Sequence, residues 1–214
     1  MILAPARSRR HVLAGISGLG LAGVAGCATT SPAPARVAYQ GAPGAFSHAA
    51  CIALRPWDEP VAFETFDQAI DAVRSGDCGL ALIPVENSTI GTVQPAADLV
   101  AASGLTVVTE VWRPIRLALM AAPGARLSDL KSAESHPAAL GQCVKALADL
   151  GLEAREVFDT AGAARDVAEA GDVSRAAVAP PPAAEIYGLS ILRHDLQDSA
   201  DNRTRFVLLT AAKG

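Results

Sequence analysis

The sequence predicts an α/β fold in which mixed, mostly parallel sheet is joined by crossover helices. Two observations carry that prediction. From Arg36 onward, short apolar runs alternate with helical patterns, the order that strand, helix and returning strand produce. A chain of 214 residues with 50% apolar side chains can also bury a substantial core, enough for one large domain or two small lobes.

The elements follow in order. "RVAYQG" reads as the first strand, and the helical pattern "FDQAIDAVRSG" precedes the strand "CGLALIPVEN". The helix "TVQPAADLVAASG" then leads to the strand "LTVVTEV". Both helices close at a glycine, the residue that ends a helix at little steric cost. "LALMAA" and "SAESHP" come next as strands, followed by the helix "AALGQCVKALADLG". "EAREVF", the helix "AGAARDVAEAG", "AAVAP" and a short "PAAEIYG" helix continue the alternation, and the strands "LSILRHDL" and "TRFVLL" complete it.

Residues 1–26 read differently. Arg9 and Arg10 stand before an uncharged run from Val12 to Gly26, rich in Leu, Ala and Gly. That run is short of the ~20 apolar residues of a spanning helix, while its basic front and small-residue end suit a secretory signal of the twin-arginine type. It ends in "VAGC", which resembles a bacterial lipobox, so Cys27 is expected to be lipidated and to anchor the protein on the periplasmic side. Residues 27–35 then form a Pro-rich and small-residue tether. Membrane contact is expected only through that lipid. If the signal were not processed, the protein would stay in the cytoplasm.

Composition excludes several classes. The net charge of −4, from 18 basic and 22 acidic side chains, with 4% aromatics, argues against a nucleic-acid surface. Four scattered histidines and no CxxC or HxxxH spacing argue against a metal centre, and no glycine fingerprint for a phosphate cofactor is present. No cofactor is expected. Beyond Cys27, the odd trio Cys51, Cys78 and Cys143 cannot form a complete disulfide framework and suits buried thiols.

Several strands end in polar clusters: "YQGAPGAFSH", "PVENSTIG", "SHPAALGQC" and "FDTAGAA". Ligands of open α/β sheets bind at the carboxyl ends of strands, beside helix N-termini that offer free N–H groups. Four such junctions point to one cleft for an anionic small molecule. Ser47, Ser88 and Thr160 also suit helix capping, which accounts for part of the pattern.

These junctions together resemble the catalytic domain of the prephenate dehydratase family. "VAYQGAPGAFSHAA" resembles the family's opening segment, and "ALIPVENSTIGTV" its PxEN[ST]xxG block. "SHPAALGQC", "AAEIYGLSIL" and "DNRTRFVLL" are similar to three later blocks, in the family's order from Arg36 to Leu209. The resemblance implies two lobes like a small periplasmic-binding-protein fold, lobe 1 at about 36–113 plus 195–214 and lobe 2 at about 114–194, with the active site in the interlobe cleft. It implies a carbon–oxygen lyase of phenylalanine biosynthesis that converts prephenate to phenylpyruvate, with arogenate as a related substrate.

By the same resemblance, Thr204 carries the catalytic hydroxyl and Glu86 is a functionally important carboxylate. Asn87, Ser88 and Gln142 line the cleft, and Ser47 and His136 fit loop positions facing it. Strand alternation puts Arg203 and Arg205 opposite Thr204 and Phe206, whereas the motif match assigns Arg205 to a substrate carboxylate. Asp159 and the run Pro180 to Pro182 depart from the family's pattern. The expectation is a catalytic domain without the family's phenylalanine-binding regulatory domain. Family members are commonly dimers or tetramers, so a homo-oligomer is among the expectations. A lipid-anchored solute-binding protein of the same fold would share the signal and the cleft. Retention of Thr204 with Asn87, Ser88 and Gln142 favours the enzyme, because binding alone does not require that set.

Overall fold

A computed structural model describes residues 33–212. The expected signal, Cys27 and most of the expected tether lie outside the described residues. β1 (Arg36–Gln40) buries Val37, Ala38 and Tyr39 in succession, the mark of a strand covered on both faces. The chain passes through α1 (Phe46–Leu54) to β2 (Glu59–Phe63), parallel to β1. "EPVAF" escapes the sequence pattern because it is a half-exposed edge strand, where Pro60 is tolerated. α2 (Phe66–Arg74) opens with a capping box between Thr65 and Gln68 and returns the chain to β3 (Leu80–Asn87), on the other side of β1. The two-residue β4 (Gly91–Thr92), α3 (Ala96–Ala102) and β5 (Thr106–Pro114) follow.

Residues 118–193 build the second sheet. They run through β6 (Ala118–Ala121), β7 (Ser132–Ser135), α4 (Pro137–Leu140), α5 (Val144–Asp149) and β8 (Glu153–Glu156). α6 (Thr160–Ala170), β9 (Arg175–Ala179), α7 (Pro181–Tyr187) and β10 (Ser190–Arg193) complete it in the order β10-β6-β9-β7-β8. The chain then crosses back, and β11 (Arg203–Thr210) inserts between β3 and β5 to give the order β2-β1-β3-β11-β5.

The expectation of mostly parallel sheet needs correction. Among the described residues four strand pairings are parallel and five are antiparallel. Parallel pairs occur where helices cross over between strands. β11 arrives from the other lobe and so runs against both neighbours.

Each sheet is packed on both faces. Ile83, Val85, Val207 and Leu209 meet α2 and α3 on one face of the first sheet, while Tyr39, Leu82, Phe206 and Leu208 meet α1 on the other. Leu119, Leu140, Leu147 and Val178 form one core of the second sheet, and Met120, Ala163, Val167 and Ala183 the other. Cys51, Cys78 and Cys143 are unpaired and buried, and burial pushes the Cys51 and Cys143 thiols up to about 12.

Two local departures shape the cleft. The single helix expected from "AALGQCVKALADLG" is broken at residues 141–143 into α4 and α5. Asp198 stabilises the break: its N–H donates to the Gln142 carbonyl at 2.7 Å, and its carboxylate accepts from Lys145 and Ala146 N–H at the start of α5. The run Pro180 to Pro182 falls at the N-cap and first turn of α7, where a missing N–H costs nothing.

Candidate active site

The chain crosses between the lobes twice, at residues 115–117 and 194–202, and the crossings are hydrogen-bonded to each other. Ile115 N–H donates to Asn202 O, Leu196 N–H to Leu117 O, and Leu117 N–H to the Gln197 side chain, each at 2.8 Å. Beside them lies a cavity of about 560 Å³, walled by the ends of β1, β3, α1, α4, α6 and β11.

The first sheet delivers a polar chain to its wall. β11 sets Thr204 opposite Asn87 of β3. Asn87, 5% exposed, is fully engaged: its amide donates to Thr204 Oγ1 at 2.9 Å and to Asn202 Oδ1 at 2.8 Å, and its Oδ1 accepts from Thr89 and Ile90 N–H. Asn202 in turn donates to Gln142 Oε1, and Gln142 donates to Ala138 O at 2.7 Å. The broken helix is what turns Gln142 toward this chain. Thr204 is 6% exposed and accepts from Asn87, and its own proton goes to no described group. An anchored hydroxyl with a spare proton on a cavity wall is an acid-type hydrogen-bond donor.

The other lining residues are arranged around the start of α1 and α6. Ala45 at the α1 N-cap offers no side-chain acceptor, so the first-turn N–H groups of Phe46 and Ser47 lack a cap. Ser47 is 6% exposed and makes no hydrogen bond to a described residue. His136 caps α4 by accepting from Ala138 N–H through Nδ1 at 3.1 Å, and its exposed ring lines the cavity. The loop before α1 is fixed by Gly44 N–H donating to His48 Nδ1 at 3.0 Å, with the His48 ring against Tyr39. Burial lowers the His48 pKa, which keeps that nitrogen an acceptor. Gly44 has a φ of +90° and packs so closely on α7 that a Cβ would meet Ala183 at 3.0 Å.

Of the residues expected from the sequence, Thr204, Asn87, Gln142, Ser47 and His136 line the cavity, and three do not. Glu86, Ser88 and Arg205 face elsewhere. The Arg205 guanidinium donates to Glu86 at 3.0 Å and to Glu110 of β5 at 2.8 Å. The assignment of Arg205 to a substrate carboxylate is therefore corrected, and the alternation of the strand is the reason. A bulge in β3 at Val85 and Glu86 turns Glu86 to the same side as Arg205. Ser88 is a staple: its hydroxyl donates to Asp201 O and accepts from Arg203 N–H, each at 2.9 Å. The sequence alone assigns no role to Asp159. Asp159 lines the cavity, caps α6 through Gly162 N–H at 2.9 Å, and reaches Ala42 N–H of the other lobe at 3.3 Å. Its signal was present as an Asp-Thr pair before a helical pattern.

The electrostatics are uneven. Glu64, Asp67 and Asp159 line the cavity, and no Lys or Arg does among the described residues. The described residues also hold no cluster suited to a metal ion.

The sequence profile described as Prephenate dehydratase matches residues 37–214. The chain is 44% identical over 174 residues to arogenate dehydratase/prephenate dehydratase 2 of Arabidopsis thaliana, covering 81% of this chain and 46% of that protein. It is 40% identical over 172 residues to a bifunctional N-acyl-homoserine lactone acylase/prephenate dehydratase of Komagataeibacter europaeus, covering 80% and 61%. Prephenate dehydratase of Arthrobacter aurescens, solved in complex with L-Phe, superposes with a TM-score of 0.77 at 28% identity, covering 84% of this chain and 61% of that one. The chain thus spans about half the length of the plant relatives it matches. The profile match and the ordered blocks that form the cleft agree: this chain belongs to the prephenate dehydratase family.

Proposed function

We propose that this domain is a decarboxylating dehydratase acting on prephenate or on arogenate, in which an amino group replaces the keto oxygen. One observation carries the reading: Thr204 Oγ1 is held by the Asn87 amide at 2.9 Å with its own proton free for the cavity. The reaction breaks the bond from the ring carbon to its carboxylate, and that electron pair makes the ring aromatic while the ring hydroxyl is expelled. Products are carbon dioxide, water and phenylpyruvate, or phenylalanine from arogenate. Aromatisation drives the step, so no strong base is required. What the protein supplies is a hydrogen-bond donor to the departing oxygen, the role of Thr204, and hold on two carboxylates, while the proton that completes water comes from solvent. Among the described residues no Lys or Arg lines the cavity, so that hold falls to neutral donors: Ser47, the first-turn N–H groups of α1, and the Gln142 and His136 edge. The test is incubation of the purified protein with each substrate, reading phenylpyruvate or phenylalanine. A folded protein that turns over neither is not this enzyme.

Export is the second part of the proposal and rests on the sequence alone, through Arg9, Arg10 and "VAGC". Cys27→Ala is expected to abolish membrane fractionation of the mature protein. Unchanged lipid labelling of that variant would remove the lipobox assignment.

A further inference from the structure

We infer that the cavity selects the amino-acid form of the substrate, arogenate over prephenate, through Asp159. This rests on the dehydratase reading and deepens it. The starting point is the cavity's charge. At neutral pH prephenate carries two carboxylates and no cation, whereas arogenate carries two carboxylates and an ammonium. Three carboxylates and no Lys or Arg line the cavity among the described residues. That wall repels a dianion and attracts a ligand that brings its own positive group.

Asp159 is the carboxylate placed to receive it. Glu64 and Asp67 are solvent-exposed, whereas Asp159 is half-buried. Its Oδ2 is fixed by Gly162 and Ala42 N–H. Its Oδ1 accepts no hydrogen bond from any described residue, and no described cation lies within ion-pair distance of either oxygen. Helix capping accounts for Oδ2 and leaves Oδ1 unexplained.

The neighbouring wall supplies the complementary half. The point a Cβ would occupy at Gly41 lies 3.9 Å from Asp159 Oδ1 and 3.2 Å from the Cβ of Ala45, the N-cap of α1. The free carboxylate oxygen and the uncapped start of α1 therefore flank the same few ångströms of cavity wall. Ser47, nine-tenths buried there with no partner among the described residues, adds a hydroxyl to the helix end. A positive helix terminus with a hydroxyl beside an unpaired carboxylate matches the head of an α-amino acid, carboxylate to the first and ammonium to the second. A 2-keto acid fills only the first half.

Steady-state kinetics on both substrates tests this. The wild-type protein is expected to show kcat/KM for arogenate about tenfold or more above that for prephenate, the scale of one hydrogen bond between charged groups. Asp159→Asn keeps the α6 cap, because Asn caps as well as Asp, and removes the charge. It is expected to lower kcat/KM for arogenate roughly ten- to a hundredfold and to shrink the preference toward parity. Glu64→Gln removes an exposed charge of the same wall and is expected to shift the ratio of the two substrates clearly less than Asp159→Asn does. A wild-type preference for prephenate overturns the inference and leaves the dehydratase reading standing, whether or not the Asp159 variant folds. Equal effects of Asp159→Asn on both substrates, or an equal shift with Glu64→Gln, overturn the assignment to Asp159. Turnover of neither substrate by the folded wild type overturns the dehydratase reading and this inference together.

Discussion

Thr204 and Arg205 are neighbours in the chain and point to opposite faces of the same strand. On the cavity face, Thr204 is buried, anchored by Asn87, and has its proton to spare. On the other face, Arg205 has both sides of its guanidinium engaged, by Glu86 of β3 and Glu110 of β5. Hydrogen bonds donated by the guanidinium, to Glu110 first and to Glu86 next, hold the Arg205 pKa above its usual value against a partial burial that opposes them. One face keeps a donor unsatisfied by the described residues, and the other pairs the Arg205 charge with two carboxylates. An unsatisfied donor on a cavity wall is available to a ligand, whereas the Arg205 triad ties three strands together. "NRTRF" is thus a motif with two roles interleaved at a period of two.

The sharpest way to break this contrast is Thr204→Ala. If the hydroxyl hydrogen-bonds the leaving oxygen mainly in the transition state, kcat is expected to fall about 10²- to 10⁴-fold with little change in KM. Thr204→Ser retains the donor but loosens its rotamer, so part of the rate survives. Circular dichroism first establishes that each variant is folded. Near-normal kcat in a folded Thr204→Ala protein would make the two faces of β11 equivalent.

A smaller loss is expected one step back, at Asn87→Ala. The change frees Thr204 to rotate, and it strips the acceptor from Thr89 and Ile90 N–H and the donor from Asn202. Leaving such groups unpaired costs about 1–3 kcal/mol, so the melting temperature is expected to drop and kcat to fall roughly tenfold. Because Asn87 acts through Thr204, the double variant with Thr204→Ala is expected to be little slower than Thr204→Ala alone. Additive losses would place Asn87 on the substrate rather than behind the threonine.

Much of this was legible in the sequence, for definite reasons. Strands such as "CGLALIPVEN" and "TRFVLL" are apolar throughout because helices cover both faces of their sheet, and a continuous run is hard to miss. The edge strand "EPVAF" lacked that signal, being half-exposed and carrying Pro60. The break in "AALGQCVKALADLG" was invisible because Asp198, far along the chain, stabilises it. At the site, Thr204, Asn87 and Gln142 are legible through the motif blocks that resemble the family's. Glu86, Ser88 and Arg205 come from the same motif match. Which face each one takes depends on pairing register and on a bulge in β3, and neither is written in a single segment.

Arg205→Lys gives the smallest effect and the cleanest separation of the two faces. A lysine keeps the positive charge but cannot bridge two carboxylates with a planar fork. In the structure those carboxylates belong to the protein, at 2.9 Å for Glu86 and 2.8 Å for Glu110. Their side chains are 44% and 50% exposed and that of Arg205 is 29% exposed, so solvent screens the triad. The expected loss of stability is about 1 kcal/mol or less, read as a modest fall in melting temperature. Both kcat and KM are expected to stay within about twofold of wild type, a difference of less than 1 kcal/mol in transition-state stabilisation. Had Arg205 held a substrate carboxylate, the loss of its fork would raise KM steeply while leaving the melting temperature unchanged. The two roles therefore predict opposite readouts from one substitution. A KM that rises tenfold or more would return Arg205 to the substrate and erase the division between the faces of β11.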